Sequence, residues 1–439
     1  MPKALPAQEL GVENNKVTEL ILAANTKRPS SKILQDAAKL PWPQNVEKMA
    51  GAGAVLVTDN YAEEGKRVEL FSLNAEKDYI PASILKLVTA MVSLEVLGPQ
   101  YRFQTDFYLD PDDNLWIVGR GDPFLVSEEL CLIAQSLVER GLQAVNDIYL
   151  DTSYFEAGLV LDGTTYTINP YDAFNGALSV NFNTVTYLID KKGQIVEYDQ
   201  FTPLTPITKQ LAEENRPKKN PRKVKEYRIN ISESPLLAEQ QAGQFFSAIL
   251  SKFGIEVNGE VITGNALPAE ATPIYSHANS HELQELLAVL LEHSNNFMTN
   301  QIFLSMGAEV YGAPATMEKG LQVIYDYLAA RGLDKLNIVE ASGLSRNNTI
   351  TAKQMSELLA VFEPFRHLIK SDSEGAVMYK TGTMVDIQTL AGYLIRPDRP
   401  DEPLSLVILL NGSYPNGTRE KILEALKAHF IPNEDSTNS

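Results

Sequence analysis

Residues 79–100 read YIPASILKLVTAMVSLEVLGPQ. The stretch opens on a proline, stops at Gly98-Pro99 and is apolar on every side, which predicts a central helix from about 83 to 97, packed all round. It nevertheless carries Ser83 and Lys86 near its start. At spacing i, i+3 their side chains share one helix face. A serine hydroxyl is a poor nucleophile until a base takes its proton, and a lysine can be that base only if desolvation or nearby positive charge populates its neutral amine. A buried helix start supplies the desolvation. Its backbone N–H groups, beginning with that of Ser83, point toward any oxyanion formed at an attacked carbonyl. Taken alone, S-x-x-K equally describes an N-cap serine with a snorkelling lysine.

The rest of the chain sets the context. Its 439 residues predict two to three domains, and 44% hydrophobic with 21% charged residues is a globular composition. With 38 Lys and Arg against 56 Asp and Glu the formal charge is -18, which excludes nucleic acid as the main partner, since a phosphate backbone demands a basic face. The single cysteine, Cys131, has no intrachain partner and reads as a small core residue. No run reaches the ~18–20 apolar residues of a membrane span, so the protein is expected to be soluble, with no transmembrane segment. The first residues, MPKALPAQELGVENNKVTEL, lack the apolar core of a signal peptide. The protein either stays inside or has lost an export signal ahead of this sequence.

Residues 1–50 are mixed in character, with a helical pattern in NNKVTELILAAN. From 52, AGAVLVT and VELFSL predict two strands joined by DNYAEEGK. Residues 101–275 show short strand candidates with one helix near 127–140, after a turn at GRGDP, 119–123. Helical periodicity returns after 280. GAVMYKTG, IQTLAGYLI and LSLVILLN then predict three strands, followed by the helix REKILEALKAHF and a polar tail, 433–439. The two ends share a character that the middle lacks. We therefore expect one α/β domain from about 51–100 plus 276–432, its sheet mostly antiparallel, with a β-rich insertion at 101–275. Within it, RPKKNPRKVKEYR at 216–228 concentrates basic residues. That pattern fits a solvated loop, or contact with an anionic polymer.

Two later motifs change the meaning of the first. Ser294-Asn295-Asn296 lies between helical stretches, and Lys380-Thr381-Gly382-Thr383 ends a strand candidate. S-x-x-K on a buried helix, then S-x-N, then K-T-G on a strand is the signature of penicillin-binding proteins and serine β-lactamases. The surrounding segments narrow it. IPASILKLVTA, GRGDPFL, YLDTSYF, NPYDAFNGALSVNFNTV and ASGLSRNNTI resemble segments of the D-alanyl-D-alanine carboxypeptidase/endopeptidase family of class C low-molecular-mass penicillin-binding proteins, peptidase family S13. The resemblance runs over roughly residues 50–415.

This resemblance implies an α/β (α+β) fold of the penicillin-binding, serine β-lactamase-like kind, its antiparallel sheet flanked by helices. It implies a serine DD-peptidase cutting D-Ala-D-Ala, peptide cross-links of peptidoglycan, or both, through an acyl-enzyme on Ser83. Lys86 would be the general base, although the identity of the base is disputed in such sites. Ser294 would pass a proton to the leaving amine, and Asn296 would orient Lys86 and the substrate amide. Lys380 would set the electrostatics. Thr381, Gly382 and Thr383 would bind the substrate, with the two hydroxyls on its terminal carboxylate and the Ser83 and Thr383 N–H groups forming the oxyanion hole. Asp151, Phe155 and Arg346 match family positions that grip the diaminopimelate end of the stem peptide. The implied partners are peptidoglycan stem peptides and, as covalent ligands, β-lactam antibiotics. No metal or other cofactor is implied, and the implied location is periplasmic or otherwise extracytoplasmic. The sequence also departs from the family pattern: Glu340-Ala341 stands for Asp-Gly, Arg120 for a glycine, and Val385 for a polar residue.

Other readings fare less well. A class A β-lactamase needs a deacylating E-x-x-L-N loop, and none occurs between 296 and 380. A zinc hydrolase is suggested by His277, His281 and His293, yet there is no H-E-x-x-H. A silent scaffold of the same fold would be free to lose the groups that activate its nucleophile.

Overall fold

A computed structural model describes residues 41–431 apart from 64–65, 166, 232–233 and 334–335. The expected N-terminal helical pattern before residue 41 and the polar tail lie outside the described residues.

One five-stranded sheet joins the two ends of the chain. Its order is Val377–Met384, Ile387–Arg396, Arg399–Asn411, Ala54–Glu63, Lys66–Leu73, and every neighbour is antiparallel. Ala54 lies opposite Leu409 and Val57 opposite Leu406, so the N-terminal hairpin completes a sheet begun more than 300 residues later. Period-two alternation sends alternate residues of Arg399–Asn411 to opposite faces. Leu404, Leu406, Ile408 and Leu410 pack toward the helices Gln44–Ala50 and Thr418–Phe430, while Val407 and Leu409 pack toward the main helical core. Because both faces are covered, LVILL at 406–410 is apolar without a break.

The opening stretch lies in that core. Residues Ala82–Leu85 form a 3₁₀ turn and the α-helix begins only at Lys86, running to Val96. From Lys86 to Leu94 every residue is buried, as all-round apolarity requires. The helices Leu283–His293, Asn296–Tyr311 and Ala352–Phe362 share its core.

The inserted region has its own sheet, ordered Val261–Thr263, Ile148–Asp151, Leu115–Gly119, Gln104–Leu109, Thr272–Ala278. Two of its pairings are parallel. Helices Ser127–Glu139 and Pro235–Lys252 pack against it around a second core that includes Cys131. A smaller sheet, Thr184–Ile189 with Ile195–Val196 and Lys225–Asn230, packs with the helix Pro206–Glu214. Two of these helices were not expected from the sequence. The boundary expected at 275/276 falls inside Thr272–Ala278, a strand that pairs with the first strand of the insertion. The basic run divides into an exposed loop, 216–224, and the start of the strand Lys225–Asn230.

Candidate active site

Three segments converge on Ser83, each held by its local chemistry. The nucleophile turn is strained at Ala82, whose φ of 48° is left-handed, a region that costs a non-glycine residue of order 1–3 kcal/mol. Its neighbours hold it there. Thr389 Oγ1 donates to Pro81 O at 2.7 Å, and two glycines close over the turn. A Cβ at Gly343 would stand 2.0 Å from Ala82 O, and one at Gly382 would stand 2.8 Å from the Ser83 nitrogen. Neither position admits a side chain without moving the nucleophile.

The second segment uses each residue of its tripeptide differently. Ser294 ends the helix Leu283–His293 in a left-handed conformation, φ 56° and ψ 41°. Asn295 caps the next helix by accepting from Met298 N. Asn296, the first residue of that helix, accepts from Lys86 Nζ at 2.7 Å. The third segment is the edge strand Val377–Met384, whose Lys380 Nζ donates to Ser294 Oγ at 2.9 Å and to Thr381 O at 2.9 Å. A cavity of about 220 Å³ opens among Ser83, Ser294, Lys380, Thr381 and Thr383, with Leu291, Glu292, Lys370 and Tyr379 completing its wall.

Lys86 is fully buried and its Nζ lies 3.1 Å from Ser83 Oγ, 2.7 Å from Asn296 Oδ1 and 2.6 Å from Ser342 O. Burial lowers its pKa from 10.5 to about 7, opposed by the nearby Glu340 carboxylate. Roughly half of it is therefore the neutral amine at pH 7, against about 0.03% for an ordinary lysine. Lys380 is also held well below the ordinary range, first by burial and then by the positive charges of Lys86, Lys370 and Arg419.

Glu340 is the residue that the sequence reading passed over as a departure. It is fully buried. One carboxylate oxygen accepts from Ser342 N at 2.8 Å and Ser342 Oγ at 2.6 Å; the other accepts from Ser345 N at 3.2 Å and Asn348 Nδ2 at 2.8 Å. This knot shapes the 340–345 turn, which presents the Ser342 carbonyl to Lys86 and the Ala341 carbonyl to Thr89 Oγ1 at 2.9 Å. The available signal was an acid beside S-G-L-S, but only the fold brings it near Lys86.

The structure thus gathers Ser83, Lys86, Ser294, Asn296, Lys380, Thr381, Gly382 and Thr383 in one place. The other three expected residues lie elsewhere. Arg346 is exposed and its Nη2 donates to Val385 O at 2.7 Å, tying the loop after Glu340 to the turn that follows the edge strand. Val385 itself is 75% exposed. Asp151 and Phe155, expected to grip the substrate, are both buried in this structure. Both Asp151 oxygens are occupied by backbone donors, Ser153 N at 2.9 Å and Leu267 N at 2.8 Å. Phe155 is buried in the main core, its ring against the position a Gly121 Cβ would take. Asp151 thus closes a turn of the insertion, while Phe155 packs against the main domain. His277 and His281 point at Glu129, with His277 Nε2 2.8 Å from its carboxylate.

Comparison with known proteins shows the family. The profile of the D-Ala-D-Ala carboxypeptidase 3 (S13) family matches residues 47–366. A D-alanyl-D-alanine carboxypeptidase of Actinomadura sp. (strain R39) is 27% identical over 82% of this chain and 77% of its own length. The D-alanyl-D-alanine carboxypeptidase DacB of Haemophilus influenzae is 24% identical over 79% of this chain and 83% of its own. The crystal structure of penicillin binding protein 4 (dacB) from Haemophilus influenzae superposes with a TM-score of 0.72 at 19% identity, covering 90% of this chain and 100% of that one. The family match takes in Ser83, Lys86, Ser294, Asn296 and the long insertion, and the chain belongs to the D-Ala-D-Ala carboxypeptidase 3 (S13) family.

Proposed function

We propose that the chain is a serine DD-peptidase of peptidoglycan in which Ser83 is the nucleophile and Lys86 its base. The observation that carries this reading is the buried amine of Lys86, near neutral at pH 7 and 3.1 Å from the Ser83 hydroxyl. Neutral Lys86 takes the hydroxyl proton as Ser83 Oγ bonds to the carbonyl carbon of the penultimate D-alanine. The carbonyl electrons move to the oxygen, which the Ser83 and Thr383 N–H groups receive. Collapse of this intermediate breaks the C–N bond. The departing amine takes its proton through Ser294, which Lys380 touches. Water then cleaves the ester and frees Ser83.

Lys380 fits the task of holding the substrate carboxylate. Its charge is suppressed by burial and by its cationic neighbours, and an arriving carboxylate favours the charged form again. Thr381 and Thr383 line the same cavity and present hydroxyls to that carboxylate. Arg346, exposed near the turn after the edge strand, fits contact with the more distant stem peptide; Asp151 and Phe155 take no part in this reading. A β-lactam, which mimics D-Ala-D-Ala, would acylate Ser83 by the same route. Such substrates lie outside the cytoplasmic membrane, so the protein would act in the periplasm or another extracytoplasmic space. Among the described residues no helix is long and apolar enough to cross a membrane. The exposed Lys218, Lys219, Arg222 and Lys223 fit contact with an anionic wall polymer, and sedimentation with purified walls that weakens on adding salt would bear this out.

The test is to incubate the protein with a stem peptide ending in D-Ala-D-Ala and with cross-linked muropeptide dimers. D-alanine release, dimer cleavage, or both, lost in Ser83→Ala, is expected. A folded protein that yields neither product would refute the reading and favour a silent scaffold.

A further inference from the structure

Arg419 lies outside every motif considered so far, in the first turn of the helix Thr418–Phe430. Its side chain is nearly buried and reaches under the edge strand. Nη1 donates to Gly382 O at 2.9 Å, to Thr389 O at 3.1 Å and to Thr383 Oγ1 at 3.2 Å. The other edge of the guanidinium is engaged by Glu420. The helix start is itself docked there, with Gln388 Oε1 3.4 Å from the Arg419 backbone nitrogen, and Gln388 lies opposite Thr383 in the strand pairing.

Two consequences follow from these bonds. Gly382 O and Thr383 N belong to one trans peptide unit, so the carbonyl and the N–H point in opposite directions. Fixing the carbonyl on Arg419 aims the N–H to the other side of the strand. A Cβ built on Gly382 would stand 2.8 Å from the Ser83 nitrogen, and Thr383 lines the cavity. The second consequence concerns the Thr383 hydroxyl, which has one proton and two lone pairs. Accepting from Arg419 uses a lone pair and leaves the proton to be donated into the cavity.

We propose that Arg419 is a positioning residue for acylation and for recognition of the substrate's C-terminal carboxylate. It holds the Gly382–Thr383 peptide with its N–H toward the developing oxyanion, and it orients the Thr383 hydroxyl as a donor to that carboxylate. The inference rests on the assignment of Ser83 as nucleophile. Because Glu420 balances its charge, Arg419 acts mainly through geometry, which a lysine reproduces only in part: an ammonium can reach a carbonyl but cannot hold the same oxygens from a planar fork.

The test compares wild type, Arg419→Ala and Arg419→Lys in the rate of acylation by a fluorescent penicillin. It also compares their kcat/KM for a D-Ala-D-Ala peptide against the same peptide amidated at its C-terminus. Complete loss of an oxyanion-hole donor costs ~10²- to 10³-fold, and misalignment costs less. Arg419→Ala is therefore expected to slow acylation by about 10- to 100-fold and to reduce the preference for the free carboxylate, with Arg419→Lys between it and wild type. Folding is followed by thermal melting. If Arg419→Ala does not fold, Arg419→Lys alone decides through its carboxylate preference, because a merely structural defect lowers both substrates alike. Acylation within twofold of wild type in either variant, or an unchanged preference, overturns the inference. Ser83→Ala runs in parallel: absence of labelling there with normal rates in the Arg419 variants sinks only this proposal, whereas labelling of Ser83→Ala sinks the assignment beneath it.

Discussion

Replacing Glu340 by glutamine separates the two things this carboxylate does for Lys86. Its charge opposes the burial that brings Lys86 to about 7, and its four hydrogen bonds shape the turn carrying the Ser342 carbonyl. A nearby opposite charge shifts a pKa by about 1–3 units. Taking the low end, Glu340→Gln moves Lys86 from about 7 to about 6. The base is the neutral amine, so acylation rises as pH rises through the Lys86 pKa, and this acid limb moves to lower pH in the variant. At pH 5 roughly 1% of wild-type Lys86 is neutral against about 10% in the variant, so the variant keeps about ten times more of its own plateau rate there. The plateau itself falls. The glutamine NH₂ must face one of two donor pairs, and each unsatisfied buried group costs about 1–3 kcal/mol, which loosens the Ser342 acceptor. The assay is the second-order rate of labelling by a fluorescent penicillin between pH 4.5 and 9, with thermal melting as the check on folding. An acid limb that stays in place or moves up would refute the electrostatic part of this reasoning.

Two further substitutions probe the same site. Asn296→Asp puts a carboxylate where the amide oxygen now sits 2.7 Å from Lys86 Nζ; it favours the charged amine, moves the acid limb up by about 1–2 units and lowers labelling at pH 7 by about 5- to 50-fold, as the same pH series would register. Gly343→Ala places a Cβ 2.0 Å from Ala82 O at a φ of 80°, combining about 1–2 kcal/mol of left-handed strain with about 1–3 kcal/mol of overpacking; a lower melting temperature and slow labelling are expected, and wild-type values in both would show that the nucleophile turn is not clamped there.

Much of the fold was legible because its signals are local. The apolar residues on every side of 84–97 announced a central helix, and the strands at the two ends of the chain announced one sheet. The insertion was harder. Ser234-Pro235 and Thr205-Pro206 are sound helix starts, since each hydroxyl caps its helix and each proline takes the first position, but only one helix, near 127–140, was expected in this region. Parallel pairings such as Leu115–Gly119 with Ile148–Asp151 leave no mark that a single strand can show. At the site, the three motifs could be read from their order along the chain. Glu340 and Arg419 could not, because their meaning lies in contacts across the fold: one braces the turn that meets Lys86, the other the peptide that meets Ser83. For Asp151 the short motif match could not show that both carboxylate oxygens accept from backbone N–H groups of Ser153 and Leu267.

The central claim is that a desolvated Lys86, in its neutral form, activates Ser83. Intact-protein mass spectrometry after incubation with benzylpenicillin at pH 8, followed by peptide mapping, tests it most directly. One penicilloyl group on Ser83 in the wild type, with none on a folded Lys86→Ala variant, is the result this account requires. An adduct on another residue, or acylation of Lys86→Ala at the wild-type rate, would contradict it.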